Sequence, residues 1–103
     1  MYYNVSTIGS RKRYKYVFEN GTSCVFIVEQ AGIIYIEIKE TIPFEYLCAA
    51  LDEVCDTILE KKLVPTINIK NSNHFLKRLA KKSGFKQVPS KGISFSVWIR
   101  KSE

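Results

Sequence analysis

The chain is 103 residues long, 46% hydrophobic and 13% aromatic, with a formal net charge of +6 at pH 7. That length makes one domain over residues 1–103 with a single core, and that apolar share excludes a disordered chain. No apolar run approaches the ~20 residues of a membrane span, and Met1-Tyr2-Tyr3-Asn4 does not resemble a signal peptide, so a cytoplasmic protein with no membrane partner is expected.

The basic balance, with a pI near 9.3, favours acidic partners: an acidic protein surface first, nucleic acid second. Residues 1–13 show no strong period and read as a short N-terminal arm or edge strand built on Tyr2, Tyr3 and Val5, with a loop over 6–10. Arg11, Lys12 and Arg13, followed by Lys15, form the densest basic run. They are candidate partner-binding residues, although cations on an edge strand also discourage unwanted pairing.

Three strands follow. The first, over 14–19, puts Tyr14, Tyr16 and Phe18 on one face. Asn20-Gly21 predicts a tight two-residue hairpin turn. The second, over 23–29, contains the continuous run Cys24-Val25-Phe26-Ile27-Val28, typical of a strand covered on both faces. After Gln30-Ala31-Gly32, the third strand (33–40) places Ile34, Ile36 and Ile38 opposite Ile33, Tyr35, Glu37 and Lys39.

The spacing then predicts a long helix over 43–62, with Pro43 at its first position. Phe44, Leu47, Cys48, Leu51, Val54, Cys55, Ile58 and Leu59 form its apolar stripe. Glu45, Asp52, Glu53, Asp56 and Glu60 read as its solvated side. Cys48 and Cys55 lie about 10 Å apart along such a helix, too far to share a metal. With Cys24 they are expected to be buried, reduced thiols, and no metal site is expected.

A strand over 63–70 is expected to return parallel to the strand over 33–40. The stretch 71–85 reads as a short helix capped by Ser72 or Asn73 and closed by Gly84 and Phe85. Phe75, Leu76 and Leu79 form its buried face, and Lys77, Arg78, Lys81 and Lys82 its outer face. Two last strands, 86–88 and 93–100, flank a turn at Pro89-Ser90-Lys91-Gly92, with Phe95, Val97 and Ile99 toward the core and Ser94, Ser96 and Trp98 outward. The fold class is therefore α+β: a mixed sheet of about six strands with two main helices, ordered β-β-β-α-β-α-β-β.

A strand, an Asn, and a short helix ending in Gly-Phe resemble the C-terminal half of the Gcn5-related N-acetyltransferase fold. Asn73, Leu79, Gly84 and Phe85 stand at the matching spacing. The element order resembles that fold from its second strand onward, over about 90 residues. The resemblance implies an acetyl-coenzyme A site between the strands over 33–40 and 63–70. Ile36, Ile38 and Asn73 would then be cofactor-binding residues and Glu37 a general base. The family's pyrophosphate loop carries glycines that let backbone N–H groups close on phosphate at a helix start. Here it reads Lys39-Glu40-Thr41-Ile42-Pro43-Phe44, and the general-acid Tyr falls on Ala80.

With both features replaced, the expectation is a non-catalytic acetyltransferase-like domain, a pseudoenzyme without cofactor, that binds or inhibits a macromolecule. The Lys-, Ile-, Asn- and Tyr-rich usage is compatible with a phage or mobile-element origin. Its partner-binding residues would be Arg11, Lys12, Arg13, Lys77, Arg78, Lys81 and Lys82. The alternatives are a minimal acetyl-coenzyme A-dependent N-acetyltransferase and a phosphate-contacting nucleic-acid binder. His74, the lone histidine, has no triad partner at a recognisable spacing. The family's first strand and helix pair shrink into residues 1–13, which leaves an edge near Tyr14, Tyr16 and Phe18 uncovered, with Trp98 on the exposed face: either residues 1–13 fold over it or a second copy pairs there, and a homodimer through the open sheet edge is the expectation.

Overall fold

The computed structural model describes residues 2–39, 41–89 and 94–101. Residues 2–37 make an antiparallel meander. β1 (Tyr2–Ile8) pairs with β2 (Arg11–Val17) along its whole length, from Tyr2↔Val17 to Ile8↔Arg11. The loop expected over 6–10 is therefore mostly strand. Gly9-Ser10 makes the two-residue turn, with Gly9 at φ +61°, the first central position where such turns take glycine. β3 (Ser23–Val28) and β4 (Ile34–Glu37) complete a four-stranded sheet in the order β1-β2-β3-β4.

The turn at Asn20-Gly21 is longer than expected. Phe18 N–H donates to Thr22 O at 2.8 Å across three residues, and only Gly21 takes a positive φ. Asn20 stays out of the left-handed region because its Oδ1 accepts from the Thr22 N–H and hydroxyl, at 3.0 and 2.6 Å. On β3, Cys24, Phe26 and Val28 are buried while Val25 and Ile27 are half-buried. This strand is thus covered on one face, not both.

The covering layer is α1 (Phe44–Glu60), which buries Leu47, Ala50, Leu51, Val54, Cys55 and Ile58. Pro43 is its N-cap rather than its first helical residue, with an extended ψ of 134°. Glu45, Asp52, Glu53, Asp56 and Glu60 face solvent, as the period requires. Tyr46 stacks on Phe18 at 5.3 Å, and Tyr14 and Tyr16 lie buried in the same core.

β5 (Thr66–Lys70), α2 (His74–Lys82), β6 (Lys86–Val88) and β7 (Phe95–Ile99) follow, and the three strands form a second sheet ordered β5-β7-β6. The parallel pairing expected between β4 and β5 shrinks to one bridge, Ile33↔Thr66, supported by Thr66 N–H donating to Gly32 O at 3.0 Å. Beyond it the strands part, so the mixed sheet is two sheets over one core.

β7 has the opposite facing to that expected. Ser96 and Trp98 are buried, opposite Ile69 and Ile67, while Phe95 is 54% exposed and Val97 and Ile99 are half-buried. Trp98 is the largest side chain of the strand, and burying it requires an acceptor for its indole N–H. Ser96, two residues away on the same face, supplies it at 2.9 Å and donates in turn to Ile69 O at 3.3 Å. The start of this strand at Ile93 and the turn at 90–92 lie outside the described residues.

Tyr14, Tyr16, Phe18 and Trp98 consequently form no exposed patch. The exposed aromatics are Tyr2 and Tyr3 on β1, Tyr35 on β4, Phe75 on α2 and Phe95 on β7.

The joint between the sheets generates a prediction. A Cβ on Gly32, whose φ is +91°, would stand 2.7 Å from Val64 O and 3.3 Å from Ile58 Cγ2. Gly32→Ala therefore meets both a backbone clash and a left-handed conformation, and should destabilise by at least about 2 kcal/mol. Urea unfolding measures this; a loss under roughly 0.5 kcal/mol, ordinary for surface sites, would mean the joint tolerates a side chain.

Candidate functional site

α2 is held at both ends by its own sequence. Asn73 caps it, its Oδ1 accepting the Leu76 N–H at 3.0 Å, so Asn73 rather than Ser72 fills that role. At the other end Gly84 N–H donates to Lys81 O (3.2 Å) and Phe85 N–H to Ala80 O (2.9 Å), the paired bonds of a left-handed glycine cap. Leu79, Ala80, Ser83 and Phe85 are buried beneath.

Phe75 departs from the expected core face, and its exposure has a structural cause. Its ring meets the Phe44 ring edge-on at 6.1 Å, at the start of α1, and remains 45% exposed. The Arg78 guanidinium lies 4.5 Å over the centroid of the same Phe44 ring. This is cation–π geometry, and it fixes a side chain that would otherwise sample many rotamers. Lys77, Arg78, Lys81 and Lys82, with His74, line an open groove of about 410 Å³ that no carboxylate lines. All four expected α2 cations therefore share one surface.

The basic run on β2 does not join them. Strand alternation sends Arg11 and Arg13 to the sheet face away from α1 and Lys12 to the helix side. Arg11 pairs with Glu29 at 2.9 Å and approaches the Tyr35 ring at 5.9 Å. Arg13 and Lys15 line a separate groove of about 320 Å³ with Val25, Glu37 and Lys39. None of the three lines the α2 groove. The signals missed in the sequence were Phe75, three residues before Arg78 on one helix, and Phe44, which no local spacing links to either.

The residues implied for acetyl-coenzyme A are scattered. Ile36 is half-buried on the helix side of β4, Ile38 lies just past the strand end, and both pack against the core. Glu37, paired with Val25, is exposed and points to the other face of the sheet, among cations. The Asn73 side chain is committed to its cap.

At the α1 start, the Tyr46 and Leu47 N–H groups donate to Pro43 O at 3.0 and 3.4 Å, and Pro43 has no N–H to offer. Only the Phe44 and Glu45 N–H groups remain there for a ligand, and the Glu45 carboxylate already sits in the first turn, where it complements the helix dipole. The Ala80 side chain is fully buried and carries no hydroxyl. These residues do not fit a pyrophosphate cradle or a general acid. Glu40 lies outside the described residues. Burial pushes the Cys24 and Cys55 thiols up to about 12, away from nucleophilic character.

No protein-family model matches the chain, and no curated protein matches it by sequence. Among solved structures it is similar to a spermidine N-acetyltransferase SpeG chimera from Vibrio cholerae and hSSAT. The likeness has a TM-score of 0.64 at 10% identity and covers 87% of this chain and 64% of that one. The chain thus spans just under two thirds of the length of that protein. At this identity the likeness is one of fold, and it agrees with two sheets that part between β4 and β5 beneath α1 and α2. The chain has the fold of the Gcn5-related N-acetyltransferases.

Proposed function

We propose that this domain is a non-catalytic acetyltransferase-like protein that binds an acidic protein surface through the outer face of α2. The observation that carries this reading is the groove lined by His74, Lys77, Arg78, Lys81 and Lys82, with Arg78 stacked on Phe44 and Phe75 half exposed beside it. Interfaces use Arg and aromatic anchors at their centre, and complementary charge speeds and orients the encounter. Inhibition of a host protein by a phage or mobile-element product is one form of this function. The β2 cations Arg11, Lys12 and Arg13, turned to different faces, are not part of this surface.

Charge reversal tests the reading. Lys77→Glu, Arg78→Glu, Lys81→Glu and Lys82→Glu together should abolish capture of an acidic protein partner while leaving the circular dichroism spectrum unchanged, because these side chains lie outside the core. Loss of folding, or a partner retained at native affinity, would refute the assignment. Binding to DNA or RNA instead, with log affinity falling linearly in log salt concentration, would identify a phosphate-contacting surface.

The second reading, a minimal acetyl-coenzyme A-dependent N-acetyltransferase using Glu37 as base, draws on the parting of β4 and β5. The α1 start argues against it. A ligand at 100 times its Kd adds about 2.7 kcal/mol to stability, several degrees in Tm for a domain this small. We expect no such shift with millimolar acetyl-coenzyme A, and no acetylation of a peptide panel. A reproducible rise in Tm would restore the enzymatic reading.

A homodimer is proposed through β1, not through Tyr14, Tyr16 and Phe18. β1 pairs on one side only and exposes Tyr2, Tyr3, Val5 and Ile8. An edge of this kind is an interface or a liability. Sedimentation velocity at tens of micromolar should give a dimer, and Val5→Lys should return it to monomer. A monomeric native chain would rule this out.

A further inference from the structure

The structure places one basic pair, Lys12 and Lys61, away from the α2 surface. Lys12 turns to the helix side of β2, opposite Thr7 of β1. Lys61 stands at the C-cap of α1. Both lysines line a groove of about 320 Å³ between the β1–β2 turn and the end of the helix. Thr7 and Ser10 also line it, and Tyr14, Val28, Ile58 and Leu63 give it an apolar floor.

We propose that this groove binds a phosphate monoester, its dianion between Lys12 and Lys61 and its organic part on the apolar floor.

Like charges brought together repel unless something anionic sits with them. Among the described residues neither lysine has a carboxylate partner. Glu29 also lines the groove, but it is paired with Arg11 at 2.9 Å. The helix end attracts Lys61 through its dipole, yet it offers little further acceptance. Ile58 O already accepts the Lys61 and Leu63 N–H groups, and Leu59 O accepts that of Lys62.

The state of Lys61 agrees with an unfilled need for negative charge. Its ammonium is held below the usual lysine value, first by the Lys12 amine beside it, then by slight desolvation and like charge. Two lysines, with Thr7 and Ser10 on the same groove, match the several acceptor oxygens of a phosphate better than a single carboxylate. The buried Tyr14, Val28 and Ile58 beneath them explain why an organic ester should bind more tightly than the bare ion.

The test is a titration of the full chain with phenyl phosphate at constant ionic strength, with inorganic phosphate alongside. Calorimetry reads binding, and lysine side-chain NMR reads the Lys61 titration. Saturable binding of phenyl phosphate is expected, tighter than inorganic phosphate by about tenfold for a partly buried ring. It should raise the Lys61 titration midpoint. Lys12→Gln and Lys61→Gln should each weaken it at least about tenfold, the loss of one charge-assisted contact. Lys70→Gln, an exposed lysine on β5, should leave it unchanged and controls for general attraction to a +6 chain. An unmoved Lys61 midpoint would overturn the proposal. So would equal affinity in all three variants, or no preference for the ester over the bare ion.

Discussion

Two sheets share one core here through a seam one residue wide. Gly32 O accepts the Thr66 N–H, Ile33 bridges Thr66, and among the described residues nothing else pairs β4 with β5. The seam closes only because Gly32 has no side chain, since the Val64 carbonyl and Ile58 occupy the space a Cβ would take. From that point β4 runs away from the seam, and α1 returns, so its C-terminal end at Ile58 lies over the joint and its N-terminal end over the gap. The position of the helix start relative to the parted strands is thus fixed by a contact at the far end of the helix.

The same arrangement explains which side chains are interior. With both helices on one side, each strand has a single covered face, and the largest aromatics occupy it. Tyr16 is fully buried against Phe26, and its hydroxyl is held above its ordinary value by burial and then by Glu53, which keeps the phenol neutral. Trp98 is possible there because Ser96 completes its hydrogen bond. On the other face, Arg11, Arg13 and Lys15 of β2 stand beside half-buried Val25 and Ile27. Long cationic stems can shield apolar strand residues and keep their charges in water, which gives those arginines a physical role apart from any partner.

Much of this was legible in the sequence because it is local. The apolar period of α1, the alternation of β2, and the Asn73 and Gly84 caps all depend on residues within a turn or two of one another. What was misread depends on distant ones. The facing of β7 was inverted because Phe95, Val97 and Ile99 alternate as cleanly as Ser96 and Trp98, and only the Ile69 carbonyl, 27 residues away, settles which row is buried. The run on β3 looked doubly covered because hydropathy cannot show that only one side has helices. Arg11, Lys12 and Arg13 are adjacent in sequence and divided in space, whereas Lys12 and Lys61 are distant in sequence and adjacent in space. The Phe44–Phe75–Arg78 contact is of the same kind.

That last contact ties the glycine-free entry to α1 to the outer face of α2. A glycine-rich entry to α1 would leave bare backbone N–H groups facing the gap between the sheets. Here the entry is Pro43-Phe44, which removes one donor and places an aromatic ring beside the next. The ring is the surface on which Arg78 stacks and against which Phe75 packs, so α2 closes over the start of α1 through side chains. A single residue, Phe44, both forms the entry to α1 and seats the Arg78 guanidinium on the outer side of α2. The aromatic contact at the start of α1 and the outward cationic face of α2 are thus parts of one packing arrangement.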